Sequence, residues 1–321
     1  MIIKERTKPV VLLQLEALLR RLPGNHRKRP LIEADLARYA AGYSGEKSID
    51  YHLSFLPEKE FTILHDLRLS SGSHSFQMDT LILHPNFILI LEVKNITGTL
   101  IFDQNFHQLI RKIGDKEEAF PDPLLQASRH KKQLQQWLAA NRFEEIPIEY
   151  LIVVSSPATI IKMIPFNQSL YKRIIHSNTI YDRVNELIEK HKILLLKPPG
   201  LKKLSRLLDK NHTVLTKPIM DQYGILLTDL IPGTACPKCL AFPMDRVQGH
   251  WFCKKCSIKS KNAHLSALEE YFLLTNAPSI SNKEFRFFLN ISSTSITTRF
   301  LLDSGLSHNS SRKNRVYLRK K

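Results

Sequence analysis

Residues 76–95 read FQMDTLILHPNFILILEVKN, two apolar runs that carry three charged side chains. The runs 76–83 and 87–94 predict two strands, because the residues between them, His-Pro-Asn at 84–86, have the chemistry of a short turn. The second run is apolar on both faces, which is typical of a central strand covered on two sides. The stretch therefore predicts a hairpin at the centre of a sheet.

The three charged side chains are Asp79, Glu92 and Lys94. Because side chains in a strand alternate between faces, Glu92 and Lys94 point to the same face, and Asp79 on the preceding strand can lie near them. Burying such groups unpaired costs roughly several kcal/mol. Three explanations remain open: a mutual ion pair, a bound metal ion or a catalytic site.

Two carboxylates on adjacent strands have the chemistry of a site for a hard divalent cation. Mg²⁺ takes oxygen ligands and keeps several waters, and a bound cation stabilises charge on a phosphate and lowers the pKa of a bound water. Lys94 could orient that water and balance the negative charge. An Asp followed by Glu-x-Lys is a loose pattern, and its position at the end of an apolar strand strengthens it.

The rest of the first 215 residues predicts a layered α/β domain. A helix over 31–56 carries Gly45 and Glu46, and the glycine would let this helix approach other backbone closely. Further strands are predicted over 61–69, 97–102, 106–113, 150–155 and 172–176, and further helices over 124–140, 178–190 and 201–208. The order is helix, three or four mostly antiparallel strands, helix, strand and helices.

Several of these residues together resemble the nuclease-related domain, or NERD. The likeness spans roughly residues 35–140 and is carried by Gly45-Glu46, Met78-Asp79, Leu91-Glu92-Val93-Lys94-Asn95, Gly98 and Gln126. That domain belongs to the restriction-endonuclease-like superfamily, so the resemblance implies a mixed sheet flanked by helices. It also implies that an Asp and a Glu-x-Lys bind metal and catalyse phosphodiester cleavage.

By motif position, the resemblance implies a role for each matching residue. Asp79 and Glu92 would bind Mg²⁺ or Mn²⁺, and Lys94 would orient the attacking water as the partner of the base. Glu46 would be an additional acidic residue of the site, and Gln126 a polar contact from the later helix.

One departure from the family pattern concerns the strand after Gly98, where the family often has a Trp and this chain has Phe106-His107. Two alternatives to a nuclease remain open. The polar residues could form an inert buried network, or the nuclease fold could bind nucleic acid without cutting it.

All four cysteines lie in one short segment, as Cys236-Pro-Lys-Cys239 and Cys253-Lys-Lys-Cys256. Four thiolates at this spacing close a tetrahedral Zn²⁺ site with no open position. The segment 231–261 therefore predicts a structural zinc ribbon, with a hairpin over 242–247 and 250–252. A redox dithiol and an iron–sulfur site are the alternatives. The clustering of the cysteines is more typical of a metal site in a reducing cytoplasm than of a disulfide framework.

Residues 262–321 predict a helical module that resembles a winged helix. Helices are expected over 265–275, 282–289 and 293–302, with a short turn at 290–292 and a wing strand over 315–319. In this interpretation the third helix enters a DNA groove, and its polar side chains are Ser293, Ser295, Thr297, Thr298 and Arg299. A plain protein-contact module is the alternative.

Charge favours a polyanionic partner. The chain has a net charge of +17, and residues 231–321 hold 15 basic and 5 acidic residues, which predicts that this region contacts nucleic acid. Solubility alone is the alternative reason for the excess. The predicted contacts are Lys254, Lys255, Arg299, Arg312, Lys313 and Arg315.

DNA is favoured over RNA through the family resemblance alone. No apolar run approaches the roughly 20 residues of a spanning helix, so no membrane partner is expected. A cytoplasmic location is expected, because the clustered cysteines suit a reducing compartment. The predicted organisation is an amphipathic helix and basic linker (1–30), the nuclease-related domain (31–215), the zinc ribbon (231–261) and the helical module (262–321).

Overall fold

The computed structural model describes residues 1–72, 74–143, 146–309 and 315–319. In chain order, the helices are α1 (Val10–Arg21), α2 (Arg29–Leu53), α3 (Pro123–Ala140), α4 (Gln168–Tyr171), α5 (Ile180–Lys190), α6 (Pro198–Lys210), α7 (Ile219–Tyr223), α8 (Ala263–Thr275), α9 (Asn282–Leu289) and α10 (Thr294–Asp303). The strands are β1 (Ile2–Lys4), β2 (Thr62–Ser71), β3 (His74–His84), β4 (Phe87–Lys94), β5 (Thr99–Asp103), β6 (Gln108–Ile113), β7 (Lys116–Pro121), β8 (Ile148–Val154), β9 (Ile160–Ile164), β10 (Ile174–His176), β11 (Asp245–Val247), β12 (His250–Phe252), β13 (Lys259–Ser260), β14 (Ser279–Ser281), β15 (Ser307–His308) and β16 (Val316–Leu318).

The chain divides into two compact units, which differ from the predicted domains. The first unit comprises residues 1–8 and 40–215, and the second comprises 9–39 and 216–321. The predicted separate segment 1–30 does not exist as such. Strand β1 pairs with β2 in the first unit, whereas α1 packs on α7 and α8 in the second, because its leucine face needs an apolar partner.

The main sheet of the first unit confirms the predicted hairpin and its central position. Its strand order is β1-β2-β3-β4-β8-β10. Strands β2, β3 and β4 are antiparallel neighbours, with His84 opposite Phe87 at the turn. Strands β1, β8 and β10 pair in parallel with their neighbours. The sheet is therefore mixed, with helices on both faces.

Strand β4 is buried on both faces, as its sequence predicts. Ile88 and Ile90 belong to an apolar core that includes side chains of α3. Leu89 and Leu91 belong to a second core, which includes side chains of α2 and α5. Glu92 follows the even-numbered side chains, so this carboxylate faces the layer that contains α3.

A second, four-stranded sheet has the order β7-β6-β5-β9, and here the prediction was partly wrong. The strand expected from residue 106 begins at Gln108, because Phe106 is exposed and His107 has a left-handed φ of +52° in the turn. Strands β7 and β9 were not predicted. The sequence of β7, KEEAFP, is largely exposed and lacks the apolar alternation of a half-buried strand.

The second unit has its own core and two small sheets. Leu15 and Leu18 of α1 share this core with Trp251, Phe272 and Phe285. Strands β11, β12 and β13 form one antiparallel sheet around the cysteine segment, and the last of these strands was not predicted. The other sheet has the order β14-β16-β15 and accompanies helices α8, α9 and α10.

The predicted helices of the C-terminal region are present, with small shifts of their ends. Asn290, with a φ of +57°, ends α9, and the side chain of Ser293 caps α10 by accepting the N–H of Ile296. This Ser cap satisfies an N–H that the first helical turn leaves free. The expected wing strand is β16, which pairs with both β14 and β15.

Candidate active site and zinc site

Asp79 lies at an interruption of the main sheet. Strand β3 pairs with β4 only as far as Thr80 opposite Leu91. Beyond that point the N–H of Val93 donates to Asp79 Oδ2 at 2.8 Å, so the carboxylate takes the place of a strand acceptor. Asp66 on β2 has a left-handed φ of +49°, a conformation that Asp tolerates better than most residues.

Glu92, Lys94 and Gln126 form one hydrogen-bonded group. Glu92 Oε1 accepts from Lys94 Nζ at 2.8 Å and from Gln126 Nε2 at 2.7 Å. Lys94 Nζ also donates to Gln126 Oε1 at 3.4 Å. Strand β4 and helix α3 thus fix both partners on one oxygen of the Glu92 carboxylate.

The other oxygen, Glu92 Oε2, is buried and has no hydrogen-bond partner among the residues that the structure describes. His130 Nδ1 lies 3.7 Å away, beyond hydrogen-bond distance, and it also lacks a partner there. His130 follows Gln126 by four positions, so both side chains lie on one face of α3. The sequence analysis gave His130 no role, although this spacing places it beside the site.

Three ionisable groups at the site, Asp79, Lys94 and His130, have shifted pKa values. Burial and the neighbouring Glu92 carboxylate raise the pKa of Asp79 to about 7. Burial opposes the ammonium form of Lys94, but the carboxylates of Glu92 and Asp79 outweigh it and raise the pKa of Lys94. Burial lowers the pKa of His130 to about 4, so its imidazole is neutral at pH 7.

Glu46 lies in an acidic cluster beside these residues. Its Oε2 accepts from Arg6 Nη1 at 3.2 Å. Burial, together with the charges of Asp79 and Asp66, raises the pKa of Glu46 to about 8. In the described part of the chain, Glu46, Asp79 and Glu92 do not bring three ligand oxygens within 4.8 Å of one another. Arg6 and Asp66 were missed by the sequence analysis.

Gly45 explains how α2 reaches this region. A Cβ atom at Gly45 would lie 2.2 Å from Asn95 Cβ and 3.0 Å from Ser155 Oγ. Asn95 Nδ2 donates to the carbonyl of Ala41 at 2.8 Å, and its Oδ1 accepts from Ser155 Oγ at 3.1 Å. The predicted close approach is therefore present, and the group approached is the Asn95 side chain.

The four cysteines converge as a tetrahedral zinc site requires. The Sγ atoms of Cys236 and Cys256 lie 3.5 Å apart, as do those of Cys239 and Cys253. All four lie within 4.8 Å of one another, and Zn–S bonds of about 2.3 Å would place tetrahedral sulfurs about 3.8 Å apart. Each short distance joins the two Cys-x-x-Cys motifs, so the group could bind zinc.

Both Cys-x-x-Cys turns have the same backbone geometry. Leu240 follows the first with a φ of +57°, and its N–H donates to the carbonyl of Cys236 at 3.0 Å. Ser257 follows the second with a φ of +56°, and its N–H donates to the carbonyl of Cys253 at 2.8 Å. Burial opposes the thiolate, but the N–H groups of Cys239 and Lys238 lower the pKa of Cys236 to about 6.

The predicted nucleic-acid contacts lie on different parts of the second unit. Lys254 and Lys255 are exposed in the second cysteine turn, where Lys254 pairs with Asp245 at 2.9 Å. Arg299 is exposed on α10, and Arg315 is partly buried before β16. Arg312 and Lys313 lie outside the described residues.

One polar residue of α10 was wrongly expected to face a groove. Thr297 is fully buried, and its hydroxyl donates to the carbonyl of Ser293 at 3.1 Å. Helical periodicity turns it towards the core that also contains Phe300 and Leu301.

Comparison with known proteins relates one segment of the chain to a family. Residues 41–155 match the family model described as "Nuclease-related domain". A comparison with curated proteins finds no match. Among solved structures, the chain is similar to protein VC1899 from Vibrio cholerae, with 11% sequence identity and a TM-score of 0.25. The likeness covers 59% of this chain and 58% of that one.

The segment that matches the family contains Glu46, Asp79, Glu92, Lys94 and Gln126, and the cysteine segment lies outside it. Among the residues that the structure describes, no helix combines the length and apolar character that crossing a membrane requires. Over residues 41–155, the chain therefore matches the nuclease-related domain.

Proposed function

We propose that this protein is a metal-dependent nuclease that hydrolyses phosphodiester bonds in DNA, and that its zinc ribbon and C-terminal helices bind the substrate. The observation that carries the proposal is Glu92 Oε2, a buried carboxylate oxygen without a partner among the described residues. It belongs to the same side chain whose other oxygen is fixed by Lys94 and Gln126. Such an oxygen has the chemistry of a ligand for a hard cation.

The residues present fit a divalent cation that uses few protein ligands. Glu92 and Asp79 would hold Mg²⁺ or Mn²⁺, with water and phosphate oxygens completing the shell, as is usual for Mg²⁺ at phosphate sites. When bound, the ion would lower the pKa of a water and stabilise charge on the phosphate. The raised pKa of Asp79 supports this assignment, because two close carboxylates resist joint ionisation unless a cation lies between them.

Lys94 and Gln126 have separate tasks in this proposal. Lys94 remains an ammonium ion at neutral pH, since the surrounding carboxylates raise its pKa. It therefore orients the attacking water or a phosphate oxygen by donating hydrogen bonds, and does not itself accept the proton. Gln126 holds Glu92 Oε1 at 2.7 Å and so leaves Oε2 to face the ion.

The second unit supplies the chemistry of a nucleic-acid contact. Residues 231–321 hold 15 basic and 5 acidic residues, and Lys255 and Arg299 among them are exposed. Contacts of this kind with phosphates release counterions, so we expect DNA affinity to fall steeply with salt.

A cleavage assay tests the proposal. Zinc-loaded wild-type protein is incubated with supercoiled, linear, single-stranded and branched DNA, and with RNA, with Mg²⁺ or Mn²⁺ and with neither. We expect metal-dependent cutting of DNA that is lost in Glu92→Ala and Lys94→Ala while DNA binding is retained. Glu149→Gln is the matched control, because Glu149 is a buried carboxylate on the neighbouring strand β8 that pairs with Arg173, Lys190 and His191.

Absence of metal-dependent cleavage from the wild-type protein on every DNA and RNA form would overturn the enzymatic proposal. Salt-dependent binding that persists without cleavage, and is unchanged in the Glu92 variant, would instead support a nuclease fold that only binds nucleic acid.

A further inference from the structure

Arg6 occupies the acidic cluster next to the candidate metal site, although it precedes the segment that matches the family. It follows β1, which pairs in parallel with β2 at the edge of the main sheet. Its side chain is 3% exposed. Because an arginine stays charged in a protein, this residue places a permanent cation within the first unit.

Each of the three guanidinium nitrogens of Arg6 donates to at least one acceptor. Nη1 donates to Glu46 Oε2 at 3.2 Å and to the carbonyl of Asp79 at 3.4 Å. Nε donates to Asp50 Oδ1 at 3.2 Å. The third nitrogen, Nη2, donates to Thr80 Oγ1 at 2.9 Å and to His65 Nδ1 at 2.8 Å.

His65 acts as an acceptor in this arrangement. Burial and the charge of Arg6 lower the pKa of His65 to about 3, so its imidazole is neutral and can accept from Nη2. With its donors satisfied inside the fold, Arg6 has none left for a substrate phosphate. Its role must therefore concern the carboxylates around it.

Those carboxylates are the kind of ligands that a second metal ion would need. Paired ions in phosphodiester-cleaving sites lie about 3.5–4 Å apart and share carboxylates. Here Arg6 Nη1 contacts both Glu46 and the backbone of Asp79 and lies 3.9 Å from Asp66 Oδ1. A cation is thus already fixed where a second ion would find its ligands.

We propose that Arg6 takes the place of a second metal ion, so that the site binds a single divalent cation through Asp79 and Glu92. Glu46 is then a partner of Arg6 and a positioning residue, and does not bind the metal in the wild-type protein. The inference rests on the proposed function, because it specifies the metal content of the same site. It also gives the N-terminal strand a role: β1 positions the segment that carries Arg6.

The test is the number of Mn²⁺ ions bound by the full chain after its cysteine site has been saturated with zinc. Binding is followed by electron paramagnetic resonance of free Mn²⁺ and by calorimetry, without nucleic acid. We expect one Mn²⁺ per wild-type chain and one in Arg6→Lys, which keeps the charge. Arg6→Gln should bind two, and the double variant Arg6→Gln/Glu46→Gln should return to one.

Arg68→Gln is the matched control, because Arg68 lies on β2 outside the cluster and bonds to Thr213 Oγ1 at an exposed position. It should bind one ion. Two ions on the wild-type protein, or one ion on a folded Arg6→Gln variant, would overturn the inference. A count of two ions on the wild-type protein overturns the inference even if Arg6→Gln does not fold.

The outcome separates this inference from the proposed function. A protein that cuts DNA and binds two Mn²⁺ retains the nuclease function and loses the role of Arg6. A protein that binds one ion and cuts no nucleic acid retains the single-ion site and loses the activity.

Discussion

The candidate zinc site and the candidate carboxylate site are built in opposite ways. The four cysteines lie within 21 residues, from Cys236 to Cys256, and two similar turns present them. The carboxylate site draws Glu46, Asp79, Glu92 and Gln126 from two helices and two strands that are far apart in sequence, and Arg6 from the segment after β1. A local motif depends on its own ligands, whereas a dispersed site depends on the whole domain around it.

The two sites also differ in how their negative charges are neutralised. Four thiolates this close together repel one another unless a metal ion neutralises their charge. The carboxylate site contains two internal cations, Lys94 against Glu92 and Arg6 against Glu46. It can therefore fold around its charges before a divalent ion arrives, and we expect metal removal to affect the two units unequally.

The largest expected effect is loss of the zinc site. Cys253→Ser, or extraction of zinc, should unfold the ribbon, since structural zinc contributes on the order of 10 kcal/mol to small zinc modules. Each unit holds one of the two tryptophans, Trp137 in α3 and Trp251 in β12. Trp251 fluorescence should therefore change while Trp137 keeps its folded signal, as followed in Trp137→Phe and Trp251→Phe backgrounds. Equal loss of both signals would contradict separate sites.

The next largest effect concerns the dispersed site and Lys94. Lys94→Met should lower the single-turnover cleavage rate by about 10²- to 10⁴-fold, the usual contribution of a group that assists proton transfer or orientation. The unfolding midpoint measured by Trp137 fluorescence should change little by comparison. Lys112→Met, at an exposed position of β6, provides the control. A rate within a factor of two of wild type would remove Lys94 from the mechanism.

A smaller effect on stability tests whether the close contact between Gly45 and Asn95 positions α2. Gly45→Ala should destabilise the first unit by about 1–3 kcal/mol, because its Cβ would meet Asn95 at 2.2 Å. Gly42→Ala in the same helix meets nothing within 4 Å and should stabilise it by about 0.5–1 kcal/mol. Urea unfolding of the two variants measures both values. Similar free energies of unfolding for the two variants would show that the close contact with Asn95 has no effect on stability.

The last expected effect is a pH dependence of the first unit, spread over several pH units. In the folded chain the pKa of Asp79 is about 7 and that of Glu46 about 8, against ordinary values of 3.8 and 4.5. Their contribution to stability is fully present below about pH 4 and is lost as pH rises through 7 and 8. Below about pH 6.5 the lowered pKa values of His65 and His130 act in the opposite direction. Thermal unfolding of the zinc-loaded protein without Mn²⁺ should therefore show the decline between about pH 6.5 and 8, and Asp79→Asn should reduce it. A midpoint that rises over this range in both proteins would contradict these shifts.

The zinc ligands and the central hairpin could be predicted because their signals are local. Two Cys-x-x-Cys motifs define the converging thiols, and the alternation along β4 placed Glu92 and Lys94 on one face, whereas Gln126 was indicated by the family resemblance alone. The match of residues 41–155 to the nuclease-related domain confirms the family resemblance. The roles of these residues in catalysis stay predictions.

Arg6 could not be predicted as a counter-ion, because nothing in the local sequence pattern connects it with the carboxylates. Arg6 reaches Glu46 only through β1, and its partner Thr80 lies 74 positions further along the chain. Strands β7 and β9 escaped prediction because they are short and largely exposed. The division into units could not be predicted from local patterns, because the apolar partners of α1 lie near the other end of the chain.

The most direct test of the central claim, that Glu92 holds the catalytic metal of a nuclease site, is single-turnover cleavage of duplex DNA by wild type and Glu92→Gln. Both proteins are zinc-loaded and compared at equal DNA occupancy across a Mn²⁺ titration. The account predicts Mn²⁺-dependent cutting by wild type, and a loss of about 10³-fold or more in Glu92→Gln with DNA affinity unchanged. Cleavage that is undiminished in Glu92→Gln, or wild-type cleavage that proceeds equally without a divalent ion, would contradict it.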